Sequence, residues 1–240
     1  MKTFAFVTSL LFVLTQGASS HGALVSTILT LDAATPTVNT LDLSLSVTEM
    51  GMVIPLGASA TELSGTMNAE IEIDFATGVI SSLNLTGGTL IGSEWSMANV
   101  PTGNPNDPTE TMTLVGAGTT ATADTIPASS AVAGGNFNGT EHLIPLTGGT
   151  VAPVGVTLAG TDINGSGTGT LTATKNGDQY DLFFSMDIVD SETLAGGDLG
   201  ITGTLVARGT VTAIPEPTAA LALMAAIVVG VVVRRRRWCG

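Results

Sequence analysis

The sequence predicts an all-β fold: an antiparallel β-sandwich or barrel as the ectodomain, followed by one C-terminal transmembrane helix. Three observations predict the ectodomain. Short segments alternate apolar and polar residues with a period of two, which is typical of half-buried strands. The connections between these segments are rich in Gly, Thr and Asn. No amphipathic helical periodicity appears between residues 21 and 213, so the strands have to pack against one another rather than against helices.

The first 20 residues are predicted to be a secretory signal peptide. Lys2 supplies the basic end, residues 4–14 form the apolar stretch, and small residues at 18–20 suit a signal peptidase. Cleavage after Ser20 makes His21 the first residue of the exported chain.

The first half of the ectodomain contains two strictly alternating stretches. Residues 41–47 read Leu-Asp-Leu-Ser-Leu-Ser-Val. Residues 67–75 place Met, Ala, Ile, Ile and Phe on one face and amide or acidic residues on the other. A short turn at residues 76–78 leads into a further strand at 79–86, which predicts a β-hairpin.

The middle of the ectodomain, about residues 98–141, is predicted to be an irregular insertion. Four prolines interrupt it, at positions 101, 105, 108 and 127. Apolar periodicity fades there except near residues 112–115, where an edge strand fits.

Strands are predicted to resume over residues 142–213, where the ectodomain ends. Asn176-Gly177 lies between alternating stretches at 170–174 and 180–188, which strongly indicates a hairpin turn. Residues 201–211, rich in Thr, Val and Leu, predict a last strand or pair of strands.

The last 27 residues, 214–240, combine three physically different pieces. The first is the acidic kink Pro215-Glu216-Pro217, because proline disfavours both helix interiors and strand ladders. An uncharged apolar run then predicts a transmembrane helix over about residues 218–233. It is short for a bilayer core of about 30 Å, and snorkelling arginines can complete the span. The block that follows consists of Arg234, Arg235, Arg236 and Arg237, which the positive-inside rule places in the cytoplasm.

This order of motifs resembles the PEP-CTERM sorting signal of bacterial exosortase substrates. The resemblance covers about residues 214–240 and rests on the Pro-Glu-Pro motif, the single helix and the arginine cluster. It implies handling by an exosortase-type processing enzyme, a membrane-embedded transpeptidase-like protein. It also implies that the chain crosses the inner membrane, is anchored by its C-terminal helix, and reaches the cell surface or extracellular matrix after processing.

Charge is distributed very unevenly along the chain. Residues 21–217 carry 2 basic and 20 acidic residues, a formal net charge of −18. Such a surface repels phosphates, so nucleic-acid binding is disfavoured, whereas divalent cations and cationic partners are favoured. The single cysteine, Cys239, follows the arginine block, so no disulfide can form within the chain.

Two histidines provide the sharpest enzymatic alternative. An N-terminal His21 offers its amine and its ring to one copper ion, and His142 supplies a second imidazole. His21-Gly22 is similar to the start of lytic polysaccharide monooxygenases, which use this arrangement on a β-sandwich. The aromatic-rich substrate surface of that family is missing, because residues 21–213 hold one Trp, one Tyr and four Phe.

Acidic clusters provide the calcium alternative. Residues 162–168 place oxygen ligands at alternate positions, as calcium loops do, but the twelfth position is Ala173 instead of Glu. A second acidic group comprises Asp187, Asp190, Glu192 and Asp198. A polar turn and a solvated surface are the favoured interpretations of these two groups.

Taken together, the sequence predicts an exported protein of the envelope or extracellular matrix, structural or adhesive, with no enzymatic activity and no required cofactor. Exopolysaccharide or the envelope matrix is the expected partner. The alternatives are a copper-dependent polysaccharide oxidase and a carbohydrate- or calcium-binding module.

Overall fold

The protein folds into thirteen β-strands and one turn of 3₁₀ helix, Gly139–Glu141, in a computed structural model that describes residues 22–122, 129–194 and 197–213. The strands of the first half are β1 Ala23–Leu31, β2 Thr40–Glu49, β3 Met52–Asp74, β4 Val79–Gly92, β5 Trp95–Pro101 and β6 Thr111–Ala121. Those of the second half are β7 Ser130–Ala131, β8 Asn136–Asn138, β9 Leu143–Ala152, β10 Val156–Thr157, β11 Asp162–Asn176, β12 Gln179–Leu194 and β13 Gly197–Thr212. The all-β prediction is confirmed.

The strands form one large antiparallel sheet whose hydrogen-bonded path returns to its start. From β3 the path runs through β2, β13, β12, β11, β9, β6 and β4, and β4 pairs with β3 again. Strand β3 is long enough to pair with β2 along its first part and with β1 along its second part. Strand β1 also pairs with β13, so the earliest strand joins the latest one. Gly22–Val211 pack as one unit.

Alternation along each strand builds a single apolar core. Residues 41, 43 and 45 of β2 are buried, as are residues 67, 69, 71 and 73 of β3. Phe184, Leu171 and Met186 come from the β11–β12 hairpin and are almost completely buried. The predicted inward faces are therefore confirmed, because a period of two sends alternate side chains to the same side of a sheet.

Both hairpins predicted from turn chemistry are present. Strands β3 and β4 pair from Asp74 opposite Val79 onwards, around the turn at residues 75–78. Strands β11 and β12 are joined after Asn176, and Gly177 adopts the positive φ of 62° that the tight turn requires. The phenol of Tyr180 donates a hydrogen bond of 2.7 Å to the Phe75 carbonyl, which ties the two hairpins together.

The predicted irregular insertion at about residues 98–141 is wrong in its central part. Strand β6 lies inside the sheet rather than at its edge, since it pairs with β4, β5 and β9. The alternation was hidden because a core-facing position is occupied by Gly116, and the indole of Trp95 fills the space above it. Residues 102–110, between β5 and β6, have irregular backbone and contain two of the four prolines, whereas Pro127 lies outside the described residues.

Several predicted segments fall outside the described residues. These are the signal peptide at 1–20, His21, and the C-terminal signal with its helix at about 218–233. Among the residues whose structure is described, no helix has the length and apolar character needed to cross a membrane.

Candidate functional site

The β2–β3 hairpin extends beyond the sheet as a two-stranded arm. Residues 48–55 are all exposed, and Glu49 pairs with Met52 across the turn. Both turn residues, Met50 and Gly51, have left-handed φ values of 51° and 77°. Two consecutive positive φ values are characteristic of the type I′ turn, whose twist matches that of paired strands. The arm is therefore a regular hairpin and not a loose loop.

The arm exposes apolar side chains in an unusual concentration. Met50 is 100% exposed, Val53 69% and Met52 65%, whereas Ile54 is 38% exposed. A two-stranded ribbon is marginally stable in water when nothing packs on it. Contiguous apolar patches larger than a few hundred Å² are rare on monomeric proteins and mark interaction sites. The arm is thus a candidate interaction surface.

An open cleft of about 260 Å³ lies at the base of the arm. Its apolar lining consists of Leu45, Val47, Leu56, Val100, Pro101, Met112, Leu114, Val151 and Val154. Glu49 is the one charged residue among the lining residues that the structure describes. Because the inner parts of β2 and β3 form one wall, the arm and the cleft belong to the same end of the molecule. The cleft can accommodate apolar side chains.

No protein-family model, curated protein or solved structure matches this chain.

His142 lies in the protein interior, directly before β9. Its Nε2 atom is 2.9 Å from the Ser130 hydroxyl oxygen, and its ring meets Phe137 edge-on at 5.1 Å between centroids. Its Nδ1 atom has no hydrogen-bond partner among the described residues. Burial lowers the pKa of the imidazole from 6.5 to about 4, although the nearby Glu141 carboxylate acts in the opposite direction. His142 is consequently neutral at pH 7.

The Ser130–His142 pair has the distance of a nucleophile and its base but not their setting. Both residues are 0% exposed, so a substrate has no access to the hydroxyl. A catalytic histidine is normally oriented by an acceptor on its second nitrogen, whereas Nδ1 has none among the residues described. The pair therefore serves packing. No local pattern indicates it, because Ser130 is positioned by its pairing with Leu83 on β4.

The copper alternative needs a histidine nitrogen that is open to the metal. His142 does not provide one, because its Nε2 atom is engaged by Ser130 and its ring is enclosed. His21, the other proposed ligand, lies outside the described residues.

The polar turn predicted for residues 162–168 is wrong, and the alternative of a calcium loop fails for the same reason: this segment is the first part of β11. Its backbone is committed to sheet pairing, with Asp162 opposite Pro145 and Ser166 opposite Asp187. Alternate oxygens along an extended strand point in one direction and do not surround a cation.

The later acidic residues are not gathered around one point either. Asp187 accepts a hydrogen bond from Thr204, Asp190 accepts from Asn164, and Asp198 accepts from Thr193. Burial raises the pKa of Glu192, and the carboxylates of Asp190 and Asp162 raise it further. No group of three metal-ligating side chains occurs in the described ranges.

The sorting residues predicted from the sequence, Pro215 to Pro217 and Arg234 to Arg237, lie outside the described residues.

The arm is the feature that sequence reasoning missed. Its signal was present as Met50-Gly51-Met52-Val53-Ile54, an apolar run around a turn where polar residues are usual.

Proposed function

We propose that this protein is an exported, non-enzymatic component of a bacterial envelope or extracellular matrix, with a structural or adhesive role. The observation that carries the proposal is the apolar arm. A closed antiparallel sheet holds Met50, Met52 and Val53 in solvent, where they can contact a partner. A closed sheet leaves few unpaired edges, which makes it a suitable rigid carrier for such an arm.

The sequence of the C-terminal tail supports the proposed localisation. The Pro215-Glu216-Pro217 motif and the arginines at 234–237 resemble a PEP-CTERM signal, so an exosortase-type enzyme is the proposed processing partner. In this proposal the helix at about 218–233 anchors the chain in the membrane until processing releases it to the surface or matrix. The acidic ectodomain remains soluble there, and exopolysaccharide or envelope matrix is the proposed neighbour.

The test is the intact mass of the protein recovered separately from native envelope and from the medium. We expect the matrix form to begin at His21 and to lack Trp238-Cys239-Gly240. Pro215→Ala combined with Pro217→Ala should keep the protein in the membrane fraction. The matched control is Pro105→Ala, at an exposed proline of the β5–β6 loop. A matrix form that retains the last three residues would contradict the proposed processing.

A further inference from the structure

We propose that Met50 and Met52 form an oxidation site for hydrogen peroxide, and that conversion of their thioethers to sulfoxides switches off the contact made by the arm. The inference rests on the proposed function in one respect only, which is that the arm is the contact surface. The oxidation itself depends on where the sulfur atoms lie in the structure.

The methionines of the described residues differ sharply in exposure. Met50 is 100% exposed and Met52 65%, whereas Met112 is half-buried. The methionines that are at most 1% exposed belong to the core: Met67, Met97 and Met186. Oxidation follows access to the sulfur, so a buried thioether reacts only when the surrounding structure opens. Exposure therefore selects the two methionines of the arm.

Met50 occupies a turn position for which its backbone is poorly suited. Its φ of 51° is left-handed, a conformation that Gly, Asn and Asp adopt at lower cost than methionine does. Its side chain is fully exposed, so the core does not hold it there. Polar residues are usual at such turns. What methionine adds at this position is a side chain that is both apolar and oxidisable.

The reaction balances with hydrogen peroxide as the only co-reactant. A lone pair of the thioether sulfur attacks one peroxide oxygen, so that an S–O bond forms and the O–O bond breaks. The sulfur is oxidised by two electrons, and the second oxygen leaves as water with both peroxide protons. This uncharged reagent is not repelled by the net charge of −18 over residues 21–217, whereas an anionic oxidant is.

Oxidation changes what the arm offers to a partner without requiring a change in the fold. A sulfoxide is polar, so burying it against an apolar surface removes water from its oxygen without providing a new hydrogen bond. Residues 48–55 are all exposed and lie beyond the sheet, so no core side chain has to move. The thermal midpoint of the oxidised protein should therefore stay at that of the untreated protein.

The first experiment follows the oxidation of each methionine in the mature protein isolated from its native source. Hydrogen peroxide is added to the folded protein and to protein unfolded in urea. Cleavage after Glu49 and Glu62 then places Met50 and Met52 in one peptide, 50–62, apart from the other methionines. In the folded protein this peptide should gain oxygen at least about tenfold faster than the peptides with core methionines, whereas in urea the rates should converge.

The second experiment tests the switch on matrix isolated from the native source, with each protein compared with its own untreated binding. Peroxide should release most of the bound wild type. Met50→Leu combined with Met52→Leu keeps the arm apolar but removes both sulfurs, so peroxide should not release this variant. Met50→Gln combined with Met52→Gln imitates the polarity of the sulfoxides and should be released without peroxide. The control Met186→Leu replaces a core methionine and should respond to peroxide as the wild type does.

Equal oxidation rates for arm and core methionines in the folded protein overturn the oxidation site. Release of the Leu variant together with the wild type overturns the switch, because the peroxide then acts elsewhere. A Gln variant that stays bound, with the arm peptide oxidised as expected, overturns the switch and the proposed contact role of the arm while the oxidation site stands. Failure of the oxidation site and failure of the proposed function therefore give different results.

Discussion

Asn39 shows how a single polar side chain closes the sheet. It is completely buried, and its amide donates to the Asp32 and Val206 carbonyls at 3.0 and 2.8 Å while its oxygen accepts from the Val206 amide at 2.9 Å. Its backbone has a left-handed φ of 52°, which asparagine tolerates better than most residues. The residue therefore joins the end of the β1–β2 connection to β13.

We expect Asn39→Ala to destabilise the protein by about 3–5 kcal/mol. It removes three hydrogen bonds, two of them buried, and leaves the Val206 amide without its acceptor, whereas the Val206 carbonyl keeps its hydrogen bond from the Asp32 amide. It also forces a Cβ-bearing residue without a polar side chain to keep φ near 52°. Asn39→Gly loses the same bonds but accepts the φ, so it should be about 1 kcal/mol more stable than Asn39→Ala. Urea denaturation measures both, and equal values for the two variants would contradict the backbone contribution.

The pKa of His142, lowered from 6.5 to about 4, links stability to pH. At pH values between about 4 and 6.5, His142 is protonated in the unfolded chain and neutral in the folded protein. Stability is therefore fully present above about pH 6.5 and falls as the pH decreases towards 4. A difference of this size corresponds to about 3 kcal/mol.

We expect wild type to lose about 3 kcal/mol more unfolding free energy than His142→Gln between pH 7 and pH 4. Glutamine offers an amide to Ser130 but does not titrate, so the comparison cancels the contribution of the carboxylates. Denaturant titrations at five pH values supply the curves. Parallel curves for the two proteins would show that His142 is not shielded from solvent in the way the structure indicates.

At the scale of elements, glycine permits two close contacts of aromatic rings with strands. A Cβ built on Gly116 of β6 would overlap the indole of Trp95 on β5, and one on Gly169 of β11 would overlap the ring of Phe137 on β8. Phe137 in turn stacks on Phe184 of β12 at 5.5 Å. The two glycines let the short strands β5 and β8 pack onto the closed sheet through aromatic side chains instead of through long runs of backbone hydrogen bonds.

Gly116→Ala should therefore cost about 1–3 kcal/mol, since the methyl group forces Trp95 out of its position. Trp95→Leu alone should also destabilise, because it leaves a cavity. The double variant should be more stable than the sum of the two losses predicts, as the clash needs both side chains. Thermal unfolding of the four proteins completes the cycle, and strict additivity would be the contrary result.

Sequence patterns predicted those elements whose signal is local. The β3–β4 and β11–β12 hairpins follow from alternation and a turn, both read within about 20 residues. Of strand β6, only residues 112–115 were predicted, because Gly116 carries no side chain at a core position and its bulk comes from Trp95, 21 residues earlier.

The candidate site was less predictable because its properties also depend on residues that are distant in the sequence. The exposure of Met50 and Met52 depends on how far the hairpin passes the edge of the sheet, which is set by tertiary packing. The burial of His142 likewise depends on its distant neighbours: Phe137 lies on β8, and Ser130 lies on β7, which pairs with β4. A histidine considered from the sequence as a metal ligand was therefore placed in the core.

For the molecule as a whole, the dominant long-range interaction is electrostatic repulsion between its negative charges. The described chain offers few compensating cations, and the ion pair between Arg208 and Asp32, 3.0 Å between Nε and Oδ2, is largely exposed. An exposed pair contributes less than about 1 kcal/mol. Self-repulsion of the acidic surface is accordingly relieved mainly by dissolved salt.

We expect the thermal midpoint to rise by a few degrees when NaCl is raised from about 20 mM to about 500 mM, because the Debye length falls from about 20 Å to about 4 Å. Calcium chloride at equal ionic strength should give a similar rise, allowing for generic divalent screening. Differential scanning calorimetry checks both salts. A saturable extra gain with calcium at submillimolar concentration would favour a calcium-binding module over the charge-screening interpretation.

The pairing of β1 with β13 also fixes when folding can finish. Thr30 lies opposite Arg208, so the two halves of this contact are 178 residues apart in the chain. A polypeptide that emerges from its N-terminal end cannot complete the circuit until β13 has been synthesised, and such distant pairings form slowly. Until then, β1 and β2 lack their pairing with β13. The topology thus delays closure of the sheet until β13 has been made.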